Sequence, residues 1–247
     1  MKSNRLPILA SRELCTGCSA CQNMCPTQCI DMVLDDDGFL VPIVNAEECT
    51  LNIKAKCGIC ELICPITGVA KSHEKAKEHP KCYAIQADDS ERRLSSSGGV
   101  VPVFAKYILN KPEGGFVYGA AWNENFEVVH IEVSNEVGLN RIRGSKYIQS
   151  NTLDTYKKAR KRLKEGHWVL FTGTPCEIAG LNAVLGNVSR EKLVTIDLVC
   201  HGVASQKVFK KFIEDNNIDT KDLMDIKFRD KRINWIPNIS LEYRGGG

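Results

Sequence analysis

Residues 15–26 read Cys15-Thr16-Gly17-Cys18-Ser19-Ala20-Cys21-Gln22-Asn23-Met24-Cys25-Pro26, four cysteines spaced C-x2-C-x2-C-x3-C and closed by a proline. Three thiolates this close together wrap one face of a 4Fe-4S cubane, and the fourth ligand must come from farther along the chain. A second set follows as Cys49, Cys57, Cys60 and Cys64, spaced C-x7-C-x2-C-x3-C and closed by Pro65. The two sets predict two 4Fe-4S clusters.

In two-cluster ferredoxins the cysteine before the proline serves the other cluster. Cys15, Cys18, Cys21 and Cys64 are therefore expected on one cluster, and Cys49, Cys57, Cys60 and Cys25 on the other. Cys49 is the ligand the spacing supports least, because seven residues rather than two separate it from Cys57. Zinc is the rival metal. A pair of knuckles, Cys15/Cys18 with Cys57/Cys60, would suit it but would leave Cys21, Cys25 and Cys64 without work. Disulfides are disfavoured: the apolar run Leu6 to Ala10 is too short for a secretory leader and runs into Arg12 and Glu13. A cytoplasmic protein with reduced thiols is expected. Cys29 reads as a small buried residue beneath a cluster, and Cys82 has no partner at a ligand spacing.

The chain has 247 residues, 43% of them hydrophobic, enough for more than one core. Residues 1–70 are expected to form a two-cluster ferredoxin-like α+β domain, whose small size makes its clusters part of its folding free energy. Residues 71–81 (KSHEKAKEHPK) read as a polar linker, and 82–247 as an α/β domain with a mostly parallel sheet. There, strand patterns at 115–122, 126–134, 167–172 and 193–199 alternate with helical ones starting at Val100 and spanning 152–165, 177–185 and 205–215. IKFR and ISLEYR read as added strands. A net charge of +3 is too mild to imply nucleic acid, and no stretch has the length of a membrane span. The densest basic run, Lys157, Lys158, Arg160, Lys161, Arg162 and Lys164, reads as a solvated helix face or as a docking face for an acidic electron partner.

Three features are expected at the carboxyl ends of the parallel strands, where such sheets bind ligands. Ser95-Ser96-Ser97-Gly98-Gly99 precedes a helix and suits a phosphate. Thr174-Pro175-Cys176 opens a helix directly after a buried strand, and a thiol there has its thiolate favoured. Cys200-His201-Gly202 ends the next strand.

The ordered motifs SSSGGV, GSKYIQS, FTGTPCEIAGL, DLVCHG and FRDK resemble those of the beta subunits of coenzyme F420 hydrogenases and dehydrogenases, most closely the bacterial type with an N-terminal two-cluster ferredoxin domain. The resemblance implies an iron–sulfur flavoprotein oxidoreductase that passes electrons between 4Fe-4S clusters and FAD. A ferredoxin or a hydrogenase/dehydrogenase-type subunit would be its protein partner, and a small molecule would exchange hydride with it. The alternative is a non-catalytic electron-carrier subunit. The resemblance also implies the flavin-binding residues: Ser95, Ser96, Ser97, Gly98 and Gly99; Lys146 and Tyr147; Thr172, Gly173, Thr174 and Cys176. Cys176 and Cys200 would help bind a further cluster, with cysteines absent from this chain. The family usually continues past residue 247, so the chain reads as C-terminally truncated. It also carries Glu177 where the family usually has glutamine.

Overall fold

In each cysteine motif a short helix ends where a cysteine meets a proline. Steric conflict with the proline ring drives the preceding residue out of the helical region. Cys25 (φ −65°, ψ 116°) and Cys64 (φ −61°, ψ 120°) are accordingly extended, and each leaves the helix that carries the cysteines before it. The computed structural model describes residues 5–54, 57–68, 80–234, 236 and 238–245. Of the expected linker, residues 71–79 lie outside the described residues, as do the end of the first expected domain at 70 and the last two residues of the chain.

The cysteine-rich part runs α1 (Ala20–Met24), β1 (Ile30–Leu34), β2 (Leu40–Val44), α2 (Thr50–Lys54) and α3 (Ile59–Ile63). β2 lies in the apolar run Gly38 to Ile43 and just beyond it, between the two cysteine motifs. Its partner β1 is a further strand that the sequence pattern did not signal; the two pair antiparallel, with Met32 opposite Pro42. Proline is tolerated there because β2 has a partner on one side only.

The second part runs α4 (Asp89–Arg93), α5 (Val100–Leu109), β3 (Gly115–Trp122), β4 (Val128–Val133), α6 (Glu136–Ile142), α7 (Thr155–Lys164), β5 (Trp168–Gly173), α8 (Pro175–Leu185), β6 (Leu193–Asp197), α9 (Gln206–Asp215), β7 (Leu223–Phe228) and β8 (Ile239–Tyr243). Four strands form one sheet in the order β4-β3-β5-β6. β3, β5 and β6 are parallel, and β4 is an antiparallel edge formed by the β3–β4 hairpin. The sheet is mixed, with its parallel part as expected. β7 and β8 do not extend it. They pair with each other as a separate antiparallel hairpin, tied to the sheet by the Trp122 indole, which donates to the Ile226 carbonyl at 2.9 Å.

The two parts share one core. Cys18, Ala20 and Ile63 pack in the same apolar cluster as Tyr118, Tyr156, Phe171, Ile178 and Leu181. Each large side chain buried there contributes about 1.5–3 kcal/mol. The cysteine-rich part therefore sits on α7 and α8 through buried apolar contact.

Candidate functional site: two cysteine-lined cavities and a polar loop cluster

Two cavities lie in the cysteine-rich part. One is bordered by Cys15, Cys18, Cys21 and Cys64, with Leu9, Ala10, Met32, Pro42 and Ile66 among its apolar walls. The other is bordered by Cys25, Cys49, Cys57 and Cys60, with Pro7, Ile30, Leu51 and Ile59 around them. Cys29 also lines this second cavity. All the cysteines are free thiols.

The zinc pairing fits poorly, because Cys15/Cys18 and Cys57/Cys60 border different cavities. Among the described residues no group of three or more His, Cys, Asp or Glu is gathered tightly enough to hold a single metal ion. A cubane presents four separate irons to its four thiolates, so its ligands stand farther apart than those of one zinc ion. Four sulfurs around an apolar cavity fit that group.

Burial raises the thiols of Cys15, Cys18 (to about 11), Cys21 (to about 12) and Cys60 (to about 11). Metal binding must displace those protons. Cys64 and Cys25 go the other way. Burial opposes their thiolates, but the hydroxyls of Thr67 and Thr27 and backbone N–H groups of the turns after the prolines outweigh it. The proline that redirects the ligand thus also begins the turn whose donors face its sulfur.

The α/β part holds this assembly from below. The Thr152 hydroxyl donates to the Cys18 carbonyl at 3.2 Å. Gln149 accepts from Leu40 N–H at 2.8 Å and donates to the Thr16 carbonyl at 3.3 Å. Cys200 is exposed, and Cys176 stands half-buried at the start of α8. Its thiolate is not favoured in the way its place at a helix terminus predicts. Burial pushes the thiol up, the Thr174 hydroxyl 3.1 Å away pulls against it, and the Glu177 charge raises it further.

Of the second group of expected residues, Ser95–Gly99 and Lys146–Tyr147 come together through the bonds of Ser96, whereas Thr172, Thr174 and Cys176 make their contacts within β3, β5 and the start of α8. Ser95–Gly99 lies between α4 and α5, not at a strand end, and Gly99 takes the left-handed conformation (φ +78°) that begins α5. Ser96 Oγ accepts from Ser145 N–H at 2.8 Å and donates to the Phe228 carbonyl at 3.2 Å. Lys231, from the FRDK motif, donates to the Ser97 carbonyl. Lys146 Nζ donates to the carbonyls of Arg141, Arg143 and Gly144. Burial pushes its ammonium down to about 8. The half-exposed Tyr147 meets Phe228 edge to face at 5.6 Å. Thr172 caps nothing; its hydroxyl donates to the Tyr118 carbonyl within the sheet. Gly173 ends β5, and Thr174 N–H donates to the Glu177 carboxylate at 2.7 Å.

Two features escaped the sequence. Glu91 is buried in a clamp: Arg143 reaches both its oxygens (2.6 and 3.1 Å) and Lys106 one (2.8 Å). The Arg143 guanidinium holds this carboxyl below its ordinary range against the pull of burial. The clamp fixes the segment before Ser95 to the loop before Lys146. His130 is also buried, between Ser150 Oγ (2.7 Å) and the Thr172 carbonyl (3.0 Å), with Glu177 3.9 Å away. Its inward place in the alternating pattern Val128-Val129-His130 was the available signal.

Residues 10–31 match the 4Fe-4S binding domain, and residues 166–242 match the C terminus of the coenzyme F420 hydrogenase/dehydrogenase beta subunit. One subunit of the F420H2 dehydrogenase of Methanosarcina mazei is 21% identical over 226 residues, 87% of this chain and 62% of that protein. A polyferredoxin-like protein of Methanocaldococcus jannaschii is 31% identical over 85 residues, 31% of this chain and 46% of that one. A chain of the F420-reducing [NiFe] hydrogenase complex from Methanosarcina barkeri is similar in structure at 16% identity and a TM-score of 0.48, covering 66% of this chain and 56% of that one. The chain is an iron–sulfur protein. Over residues 166–242 it is similar to the C terminus of the beta subunits of coenzyme F420 hydrogenases and dehydrogenases, in line with the resemblance, and it spans less than two thirds of the length of the curated relatives it matches. No helix among the described residues is long and apolar enough to cross a membrane.

Proposed function

We propose that the chain is the electron-transfer part of a flavin-dependent oxidoreductase, holding two 4Fe-4S clusters and FAD. The observation that carries this reading is the division of eight cysteines between two apolar cavities, four to each. Clusters exchange single electrons, and a flavin supplies the step from single electrons to hydride. Cys15, Cys18, Cys21 and Cys64 would hold one cluster, and Cys25, Cys49, Cys57 and Cys60 the other. Apolar walls keep water from both and set their potentials.

For FAD, the supporting observation is the meeting of three motifs: Ser96 with Ser145, and Lys231 with Ser97. The Gly99 turn and the Lys146 ammonium would face its phosphates. A further cluster would draw on Cys176 and Cys200, which follow the adjacent parallel strands β5 and β6. Redox protein partners would dock on the basic side of α7, and a small redox substrate would meet the flavin.

One observation favours the carrier reading instead. The groups that would receive the flavin are engaged with one another: Ser96 both donates and accepts, and Lys146 faces three carbonyls. FAD would have to displace some of these bonds. An anaerobic absorption spectrum with iron and flavin analysis decides. About eight irons per chain, with a flavin spectrum and bleaching by dithionite, is expected. Eight irons without flavin after reconstitution with FAD would establish the carrier. A colourless zinc protein would overturn both.

A further inference from the structure

The second cavity holds one thiol too many. A cubane takes four protein ligands, yet five cysteines border this space: Cys25, Cys29, Cys49, Cys57 and Cys60. Cys29 is 3% exposed, and its sulfur lies 3.4 Å from that of Cys25. Neither is in a disulfide.

The backbone makes this pairing deliberate. Cys25 ends α1 in the extended conformation, and the chain turns at once, Gln28 N–H donating to the Cys25 carbonyl at 3.3 Å. Gln28 takes a left-handed φ of +55°, unusual for a side chain other than glycine or asparagine. That turn brings residue 29 back beside residue 25. Cys29 is then pinned where β1 begins, its carbonyl accepting from Asn45 N–H at 2.8 Å. A small residue filling space would need no such approach of sulfur to sulfur. The first cavity has no counterpart: the residue four after Cys64 is Gly68, and four cysteines border that space.

We propose that Cys29 is the reserve ligand of the second cluster. With the cluster bound, its S–H donates to the Cys25 thiolate. When Cys25 is lost, its own thiolate takes the iron that Cys25 held. In that exchange a water or hydroxide leaves the iron, an Fe–S bond forms, the thiol proton passes to solvent, and no iron changes oxidation state. The inference rests on the two-cluster reading above.

The test compares Cys25→Ala, Cys29→Ala and the double variant, each purified anaerobically, by iron and sulfide content, the electron paramagnetic resonance of the reduced protein, and iodoacetamide labelling of Cys29. The parent chain must first carry about eight irons; four would sink the two-cluster reading itself, and with it this proposal. Cys25→Ala is expected to keep eight, with an altered resonance from one cluster and Cys29 protected from labelling. The double variant is expected to fall to about four. A Cys25→Ala protein that loses the second cluster as fully as the double variant, with Cys29 labelled, overturns the proposal. Cys29→Ala guards against a variant that fails to fold. It should keep both clusters but lower the potential of the second, because a hydrogen bond to a ligand sulfur has been removed. An unchanged potential there also counts against the proposal.

Discussion

Asn23 donates from Nδ2 to the Leu153 carbonyl at 2.7 Å, joining α1, the helix inside the first cysteine motif, to the turn that begins α7. The same side chain accepts from Lys157 N–H at 3.3 Å and is 3% exposed. Asn23→Ala leaves the part-buried Leu153 carbonyl and Lys157 N–H without these partners, at a cost of about 1 kcal/mol. The contact is between the two parts of the chain, so the loss should appear where they meet. On heating, the cluster absorbance of the variant should bleach several degrees before that of the parent, with far-ultraviolet ellipticity following later. Coincident bleaching in both proteins would mean that Asn23 does not hold the parts together.

Cys64 borders the cavity of the first motif although it belongs to the second. Cys64→Ala should therefore cost the first cluster and spare the second, halving the iron content. Loss of the second cluster alone, or no loss, would contradict the crossed ligand sets.

The cysteine motifs were legible because their chemistry is local: ligand spacing and the proline that follows are written in a dozen residues. The parallel strands were legible for the same reason, each an apolar run followed by a helical pattern. What escaped was whatever depended on a partner distant in sequence. β1 is short and ends beside three aspartates, and only pairing with β2 makes Ile30–Leu34 a strand. α6 has Gly138 in its interior, which weakens any helical signal, and is nucleated by Asn135, whose side chain accepts from Gly138 N–H. Glu91 and Arg143 meet across 52 residues. β7 and β8 were recognised as strands, but nothing local could say that they pair with each other and not with the sheet.

Lys146 gives a pH dependence. Burial depresses its ammonium from the ordinary lysine value to about 8, with Asp225 the charge that opposes the shift. The folded state thus binds this proton less tightly than the unfolded state does. Between pH 8 and about 10.4 the unfolded chain holds more protons at this site, so its contribution to stability rises with pH in that window. An anionic flavin phosphate beside Lys146 would need the charged form, so flavin affinity should fall as pH rises through 8. In Lys146→Met both slopes should flatten, measured by flavin fluorescence titration and by thermal midpoint across pH 7 to 10. Flavin affinity that falls equally in parent and variant would remove Lys146 from the flavin site.

The face of α7 gives the last prediction. Tyr156, Ala159 and Leu163 turn to the core. At 3.6 residues per turn this leaves Lys157, Arg160, Lys161 and Lys164 together on one flank, and Lys158 and Arg162 on the other. The second flank is neutralised, Arg162 by Glu132 at 2.9 Å and Lys158 by Asp154 at 2.9 Å. The first flank begins where α7 meets α1, Lys157 N–H reaching Asn23. Among the described residues it has only a 3.8 Å pair between Lys161 and the partly exposed Glu165. Arg160 Nε is buried there without a hydrogen-bond partner. Such a one-signed surface beside a redox centre steers an oppositely charged protein, raising association rates by about 10- to 1000-fold at low salt. Lys157→Glu with Lys164→Glu should slow cluster reduction by a strongly acidic 2Fe-2S ferredoxin about tenfold or more at low ionic strength. The difference should vanish in high salt, where the charges are screened within about 3 Å. Reduction by dithionite, which needs no docking, should not discriminate between the variant and the parent. Equal rates with the acidic ferredoxin at low salt would make this flank a solvated helix face and nothing more.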